Sequence, residues 1–164
     1  MAKSRISDIP AARVPEEVRS WELVFPNDAN PLGSMFGGRV MAIMDKIAGI
    51  AAGRFAGMPV VTASTEAIDF KLPIRVGDRI ETVAKVVWVG KTSIVVKVGV
   101  YAEDPQTCDY VLCTSAHFNF VALDRNGKPT RVPEIIIESD EEKRDFKIAE
   151  FVKKQALERR KELG

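Results

Sequence analysis

The sequence has few of the residues on which common catalytic and metal sites depend. It contains one histidine and two cysteines, so a His-based triad would have to use His117, and a transition metal would lack ligands. No G-x-S-x-G elbow, P-loop or G-x-G-x-x-G turn occurs. Cys108 and Cys113 form no C-x-x-C pair, which is typical of a reduced intracellular protein. We therefore expect neither a bound metal nor a redox cofactor.

The chain also lacks an excess of charge of either sign. Its 24 Lys and Arg residues oppose 23 Asp and Glu residues, and a net charge of +1 predicts no strong attraction to nucleic acid or membranes. The first twenty residues contain no apolar run of signal-peptide length. Charged residues and glycines interrupt the most apolar helix, which argues against a membrane span. We expect a cytoplasmic protein with no nucleic-acid or membrane partner.

Length and composition favour one domain that is large enough to bury a core. The chain has 164 residues, of which 46% are hydrophobic and 29% charged. Its boundaries follow from the predicted elements. Residues 1–17 form a loose lead-in, residues 18–135 carry the strands and a central helix, and residues 136–164 form a charged C-terminal helix.

The segment from Asn30 to Arg54 carries the most distinctive pattern. A turn-forming Asn-Pro and a Gly-Gly pair precede a helix predicted over residues 37–57. This helix is apolar almost all round, which is typical of burial inside a domain. Its apolar residues are Val40, Met41, Ile43, Met44, Ile47, Ile50, Ala51, Ala52 and Phe55. One carboxylate, Asp45, lies in its middle with no charged residue three or four positions away.

Small residues surround that carboxylate. Ala42, Gly49 and Ala52 are predicted to share a narrow helix face with Asp45. Such a face would let a partner chain or an extended ligand approach the acid closely.

Period-two alternation of apolar residues predicts five strands. They cover residues 18–26, 60–70, 79–89, 93–103 and 110–123. The last strand is predicted to place Leu112, Ala116, Phe118 and Phe120 on one face and Ser115, His117 and Asn119 on the other. Because short turns connect the last four strands, a hairpin meander is the natural pairing.

A second helix is predicted over residues 141–163. It is highly charged and has a thin apolar stripe of Ile148, Phe151 and Val152. We expect it to pack on a neighbour or to extend from the body.

The order of these elements predicts an α+β fold. One long antiparallel sheet must curl around the central helix to bury it, and the C-terminal helix is extra. The open sheet edges and the small-residue helix face indicate that a second copy of the chain completes the sheet.

Asp45 and the Gly37-Gly38 helix start are the best candidates for chemistry. A hydrogen-bonded carboxylate can act as a general base, and N–H groups at a helix start can polarise a carbonyl oxygen. Asp45 is equally well explained as a structural carboxylate, and the glycines as backbone geometry. Asn30 is by default a turn residue. His117 on an alternating strand is more often packed or solvated than catalytic.

The turn at Gly90, Lys91, Thr92 and Ser93 is a second candidate binding element. It is a plain hairpin by default, although its N–H groups and the Lys91 ammonium could hold phosphate.

The run from Asn30 to Gly38, followed by Asp45, resembles the N-x-x-G-x-x-F/H-G-G…D signature of hotdog-fold acyl-CoA thioesterases of the cytosolic acyl-CoA hydrolase type. The similarity extends over residues 15–135. Further matching pieces are Val60–Ser64, Asp69-Phe70 with Pro73, Val76–Asp78, Gly90–Ser93, Phe120–Asp124 and Gly127–Pro129. The resemblance implies a hotdog fold paired into dimers and commonly assembled into a homohexamer.

The resemblance also implies roles for individual residues. Asn30 and Asp45 of different subunits would cooperate: Asp45 would activate water or attack directly, Asn30 would position the water, and Gly38 N–H would polarise the thioester carbonyl. The remaining substrate contacts implied are Gly37 beside the carbonyl, Thr62 and Ser64 along the pantetheine arm, and Gly90, Lys91, Thr92, Ser93 and Arg54 near the CoA phosphates.

The sequence departs from the family pattern at two places, of which the second affects the nucleotide end of that site. Arg39 stands where many relatives carry an aromatic residue, and Phe55-Ala56 replaces a common His-Ala.

The leading hypothesis is hydrolysis of fatty acyl-CoA to fatty acid and CoA, where CoA is part of the substrate rather than a cofactor. A non-catalytic CoA or acyl-CoA binding module, and an acyl-thioester hydratase or dehydratase that uses His117, are the alternatives.

Overall fold

The computed structural model describes residues 10–164. The strands are β1 (Val18–Leu23), β2 (Val60–Phe70), β3 (Arg79–Val89), β4 (Ser93–Glu103) and β5 (Tyr110–Ala122). The helices are α1 (Gly37–Ala56) and α2 (Asp140–Leu163), and a short 3-10 turn spans Pro26–Asp28. The five strands form one antiparallel sheet in the order β1-β3-β4-β5-β2. The predicted α+β architecture, a long sheet around a central helix, is confirmed.

The predicted meander holds only for β3, β4 and β5. β2 does not pair with β3 but with β5, on the far side of the sheet, because β1 occupies the other edge of β3. Both β1 and β2 are therefore edge strands. The eight-residue connection between β2 and β3 crosses the end of the sheet, which a tight hairpin would not do.

The core lies between α1 and the inner face of the sheet. The strand alternation supplies one wall, where Ile94, Val96, Val98 and Val100 of β4 are completely buried, as predicted. Phe118 and Phe120 of β5 are buried beside them. Each such side chain contributes about 1.5–3 kcal/mol through its burial. Packing on this wall, more than helix propensity, stabilises α1.

α1 is the central helix of the fold, as predicted, but one of its faces is exposed in the single protomer. Its buried face consists of Val40, Ile43, Met44, Ile47, Ala48, Ala51, Ala52, Phe55 and Ala56. Ala42, Lys46, Ile50 and Arg54 form an exposed face along the same helix. Ala52 belongs to the buried face and not to the small-residue face predicted around Asp45. The helix ends at Gly57, whose φ of +68° allows a left-handed C-cap that a β-carbon would disfavour.

α2 lies on the outer face of its own sheet. Ala149 packs with Val87 and Val95 in a small second core, and two ion pairs fix the start of the helix: Lys85–Glu142 at 2.7 Å and Lys97–Asp145 at 2.8 Å. The predicted apolar stripe does not face the sheet of its own protomer. Ile148 and Phe151 are exposed, whereas Ala149 and Ala156 are buried because small residues let the helix approach the sheet closely.

Irregular pairing changes which residues of β5 face the core. A shift between Val100 and Tyr101 places Leu112 opposite Tyr101. Cys113 takes the buried core position instead, and Leu112 is only half-buried. The prediction of Leu112 on the face of Ala116 is therefore wrong. Ala116, Phe118 and Phe120 do share the core face, while Ser115, His117 and Asn119 point outward.

The described part of the predicted lead-in is not loose. Residues 1–9 lie outside the described residues, but Arg13 pairs with Ile135. Its guanidinium also donates a 2.9 Å hydrogen bond to the Phe55 carbonyl at the end of α1. Neither described helix combines the length and apolarity that a membrane crossing requires.

Candidate active site

Asp45 lies halfway along α1, at the border of its exposed face, and is half-buried. The hydroxyl of Thr62 on β2 donates a 2.7 Å hydrogen bond to Asp45 Oδ1. A carboxylate that accepts such a bond is held in one orientation and keeps a second oxygen free. The aspartate is therefore fixed at the surface, beside an open sheet edge, and is not sealed inside the core.

The start of α1 presents two N–H groups to solvent. Phe36 is the N-cap residue and supplies no side-chain cap, while its carbonyl accepts from the N–H of Arg39 and of Val40. Within the described residues, no acceptor is found for the N–H of Gly37 or Gly38. Unpaired donors at a helix start, reinforced by the helix dipole, are suited to bind a negatively charged oxygen.

Two aromatic rings border these donors: Phe36 from the Asn30–Gly38 run and Phe70 from the matching Asp69-Phe70 piece. A β-carbon on Gly38 would lie 2.9 Å from the Phe36 ring, and one on Gly37 would lie 3.5 Å from the Phe70 ring. Both rings are more than half exposed. Only glycine therefore fits without displacing the ring that covers Gly38.

A groove of about 340 Å³ opens beside the same helix start. Its walls include Met35, Val40, Phe70, Leu72 and Ile74, with Gly37 at its edge. The lining is mainly apolar, which suits a hydrocarbon chain more than a charged group.

Asn30 lies in the loop that leads to α1. Its Oδ1 accepts from Leu32 N–H at 2.9 Å and from Ser34 N–H at 3.3 Å, and its Nδ2 donates to Ser34 Oγ at 3.0 Å. The turn role considered from the sequence is thus real. These bonds fix the orientation of the Asn30 amide. The Asn30 loop stays close to the start of α1, because Phe36 N–H bonds to the Asp28 carbonyl, so the amide lies at the same end of the molecule as the Gly38 N–H.

Asp45 and Gly38 cannot serve one reacting carbon within a single protomer. Seven residues separate them, so they share a helix face but stand about 10 Å apart along the axis. In the reaction, the substrate carbonyl would lie about 3 Å from the Gly38 nitrogen and about 3 Å from the attacking group at Asp45. The Gly38 nitrogen and the Asp45 carboxylate would therefore have to lie within about 6 Å of each other.

Ser64 does not join Thr62, although it lies only two residues away. The register of β2 shifts between these residues, so Thr62 pairs with Phe120 and Ser64 with Asn119. Phe120 faces α1, whereas Asn119 faces α2 and donates a 2.9 Å bond to Ser64 Oγ. Contrary to expectation, Ser64 is on the opposite side of the sheet from Asp45.

The turn from Gly90 to Ser93 is a rigid hairpin end. Gly90 N–H donates to the Ser93 carbonyl at 2.8 Å, so it is not available to a ligand. A β-carbon at Gly90 would lie 2.8 Å from Ser93 Oγ. Thr92 and Ser93 are half-buried, and Lys91 is exposed. Of the predicted phosphate contacts in this turn, the Lys91 ammonium remains the accessible one.

Arg54 is exposed in the last turn of α1. Ser93 pairs with Val121, and Val121 pairs in turn with Val61 at the start of β2. The end of α1 and the Lys91 turn therefore lie at the same end of the sheet, where two cations are available to an anion.

His117 is separated from Asp45 by the sheet. It faces outward beneath α2, where it pairs across the strands with Lys97 and Glu66. Burial lowers the pKa of its imidazole, and Lys97 lowers it further, while Asp145 opposes the shift. A histidine on that side cannot act together with Asp45, which rules out the hydratase hypothesis in the form that uses His117. Within residues 10–164, no group of three or more His, Cys, Asp or Glu residues could hold a metal ion.

The sequence profile of the Thioesterase superfamily matches residues 32–109. A Bacillus subtilis protein named acyl-CoA thioester hydrolase YkhA, described as uncharacterized, is 41% identical over 119 residues. That alignment covers 73% of this chain and 69% of the relative.

Solved structures give the same similarity in three dimensions. An acyl-CoA hydrolase from Staphylococcus aureus, in complex with butyryl coenzyme A, coenzyme A and coenzyme A disulfide, is 39% identical with a TM-score of 0.84 and 89% of each chain covered. An apo-hexameric acyl-CoA thioesterase is 38% identical with a TM-score of 0.83, covering 87% of this chain and 92% of the other.

The Staphylococcus aureus enzyme has also been solved as three alanine variants. They replace an Asn, an Asp and a Thr that follow one another at intervals of 15 and 17 residues. Asn30, Asp45 and Thr62 are separated by the same two intervals.

Proposed function

The chain belongs to the thioesterase superfamily, and we propose that it is an acyl-CoA thioester hydrolase that releases a fatty acid and free CoA. Its fold is the hotdog fold that the sequence resemblance implied. Two of the relatives that carry this activity in their names match it over more than two thirds of their length. The observation that carries the proposal is the Thr62-bonded Asp45 on the open face of α1, together with unpaired donors at the start of that helix.

The proposed reaction divides the work between two copies of the chain. In one copy, Gly38 N–H, aided by the helix start, receives the thioester carbonyl oxygen and stabilises the charge that develops on it. In the other copy, Asp45 removes a proton from the attacking water, or attacks directly, and Thr62 holds the carboxylate in position. Asn30 of the first copy orients the water. The C–S bond then breaks, and the thiolate of CoA leaves as the carbonyl re-forms. If Asp45 attacks directly, a water molecule must afterwards hydrolyse the acyl–Asp45 anhydride to release the fatty acid.

The spacing of the three positions varied in the Staphylococcus aureus enzyme supports this assignment. Asn30, Asp45 and Thr62 repeat both intervals, and the structure joins two of them by a direct hydrogen bond. Ser64 is left out because it lies on the other face of the sheet.

The CoA moiety is proposed to lie along the exposed side of α1 toward the end of the helix. Lys91 and Arg54 are exposed cations at that end of the sheet, and a phosphate between them would gain charge-assisted contacts. Gly37 lines the acyl end beside the apolar groove.

The assembly is proposed to be a dimer built on the β2 edge and repeated to a homohexamer. Val61, Phe70 and Ile50 are exposed along this edge and on the adjacent face of α1, and a second copy would cover them. The hexameric state of a similar thioesterase supports this arrangement.

The test is release of free thiol from acyl-CoAs of increasing chain length. The wild-type protein is expected to release thiol, and Asp45→Ala to release almost none while it keeps the wild-type oligomeric state. Lys46→Ala is the control, because it changes an exposed neighbour on the same helix turn. Full activity in Asp45→Ala would refute the assignment. A wild-type protein that binds acyl-CoA but releases no thiol would instead support the non-catalytic binding module.

A further inference from the structure

β2 contains a bulge directly behind the Thr62–Asp45 contact. The pairing runs from Thr62 opposite Phe120 to Ser64 opposite Asn119, so Ala63 is the extra residue. Without this extra residue, strand alternation would place Thr62 and Ser64 on the same face. Because of the bulge, the Thr62 hydroxyl faces α1 whereas the Ser64 hydroxyl faces the side of the sheet that α2 covers.

Two side-chain contacts on the outer face hold the residues after the bulge. Asn119, completely buried, donates to Ser64 Oγ at 2.9 Å. Glu66, also buried, is held by both guanidinium nitrogens of Arg159 from α2, at 2.5 and 2.8 Å. Arg159, and to a smaller extent the Ser64 hydroxyl, keeps the pKa of Glu66 below its ordinary value against the effect of burial.

These outer-face contacts, Asn119 with Ser64 and Arg159 with Glu66, hold the register of β2. A slip of one residue would turn Glu66 toward the apolar core and leave its buried carboxylate without Arg159. It would also remove the Ser64 acceptor from the buried Asn119 amide, at the cost of an unsatisfied donor. The outer-face contacts thus oppose loss of the bulge, and the bulge aims Thr62.

We propose that Arg159 and Asn119 are positioning residues for the active site, which act through Glu66 and Ser64 to hold the Ala63 bulge and so keep Thr62 bonded to Asp45. This inference rests on the proposed hydrolase function. It gives α2 a role in turnover, although the helix lies on the opposite side of the sheet from the site.

The test compares two ion pairs that both fasten α2 to the sheet. Arg159→Met removes the link to β2, whereas Lys97→Met removes the 2.8 Å link from β4 to Asp145 and leaves β2 alone. Arg159→Met is expected to lower kcat about tenfold with little change in KM, since small misplacements of a reacting group are costly. Lys97→Met is expected to keep wild-type kcat. Arg159→Lys, which retains the charge, should recover part of the loss.

A double-variant cycle tests the route of the effect. In a Thr62→Ala background, Arg159→Met is expected to cause little further loss, because the contact it positions is already absent. Ser64→Ala is a smaller change at the same strand: it removes the hydroxyl that accepts from Asn119 and leaves the Arg159–Glu66 ion pair in place. Amide exchange of β2 peptides should rise in Arg159→Met and in Ser64→Ala but not in Lys97→Met.

Equal kcat losses in Arg159→Met and Lys97→Met, or full additivity with Thr62→Ala, would overturn the inference and leave α2 a purely stabilising element. Absence of thiol release by the wild-type protein is a different failure, which counts against the proposed function. In that case the exchange measurement still decides whether Arg159 holds the bulge.

Discussion

The hydroxyl of Thr62 donates a 2.7 Å hydrogen bond to Oδ1 of Asp45, which connects the edge strand β2 to the exposed side of α1. This contact joins an edge strand to the most distinctive helix of the sequence, and it fixes the orientation of a carboxylate on the open side of that helix.

Thr62→Ala is therefore expected to lower kcat about tenfold, because a hydrogen bond to a charged group is worth about 1.5–3 kcal/mol and Asp45 is only half-buried. Thr62→Ser should keep most of the activity, since it retains the hydroxyl. Thermal unfolding should change little in either variant. Steady-state thiol release measures the effect, and an unchanged kcat in Thr62→Ala would show that the contact has no part in turnover.

Mixtures of two inactive variants test whether the site is shared. Asn30→Ala and Asp45→Ala subunits, exchanged at equal amounts, should recover about a quarter of wild-type activity, because half of the pairs are mixed and each mixed pair has one intact site. Subunit exchange is verified by mass spectrometry of the assemblies. No recovery after verified exchange would argue for a site within one protomer.

Gly38→Ala should reduce activity without reducing stability. The added β-carbon would lie 2.9 Å from the Phe36 ring and beside the N–H that receives the substrate oxygen. Alanine is also the better helix former, so the melting temperature should stay level or rise. The matched control is Gly53→Ala in the same helix, whose new β-carbon meets only Val60 Cγ2 at 4.0 Å. Equal activities in the two variants would contradict a role for this N–H.

Stability in acid should depend on Glu142. Its bond to Lys85, followed by the N–H groups of Glu138 and Ser139, lowers its pKa from 4.5 to about 2. A carboxyl with a depressed folded-state pKa stabilises the fold above its unfolded value, and this stabilisation is lost as the pH falls from about 4.5 toward 2. The melting temperature should therefore fall less between pH 5 and pH 3 in Glu142→Gln than in the wild type.

Glutamine can still complete the capping box with Ser139, so Glu142→Gln isolates the charge. Glu141→Gln is the control, since no ion pair of Glu141 occurs in the described part of the chain. If the melting temperature falls equally between pH 5 and pH 3 in Glu142→Gln and in the wild type, Glu142 is not the group responsible.

The core of this fold was readable from the sequence because regular alternation encodes it. Ile94, Val96, Val98 and Val100 occupy every second position of β4 and are all completely buried. Asp45 was noticeable as the single carboxylate of a largely apolar helix, although its sequence pattern alone left a structural role equally open.

The faces of β2 and β5 were not readable, because irregular pairing reverses the alternation without leaving a sequence signal. Ala63 is no glycine or proline that would mark a bulge, yet it moves Ser64 to the outer face. The shift beside Tyr101 does the same for Leu112. The predicted faces of Ser64 and Leu112 are wrong for the same reason: an extra residue in a strand reverses the alternation of side chains between the two faces of the sheet.

The placement of α2 depended on tertiary contacts that its own pattern does not contain. Ala149 and Ala156 face the sheet, while the larger Ile148 and Phe151 face solvent. The contacts that orient the helix are ion pairs with residues far away in the chain, such as Arg159 with Glu66. Local periodicity cannot reveal a partner on a distant strand.

The two register breaks in β2 have a consequence for misassembly. An exposed edge strand is a template on which foreign strands can add and aggregates can grow. Breaks at Ala63 and again between Glu66 and Asp69 divide this edge into short stretches, and a regular strand cannot pair along all of them. The β2 edge is thus a poor seed for fibrils.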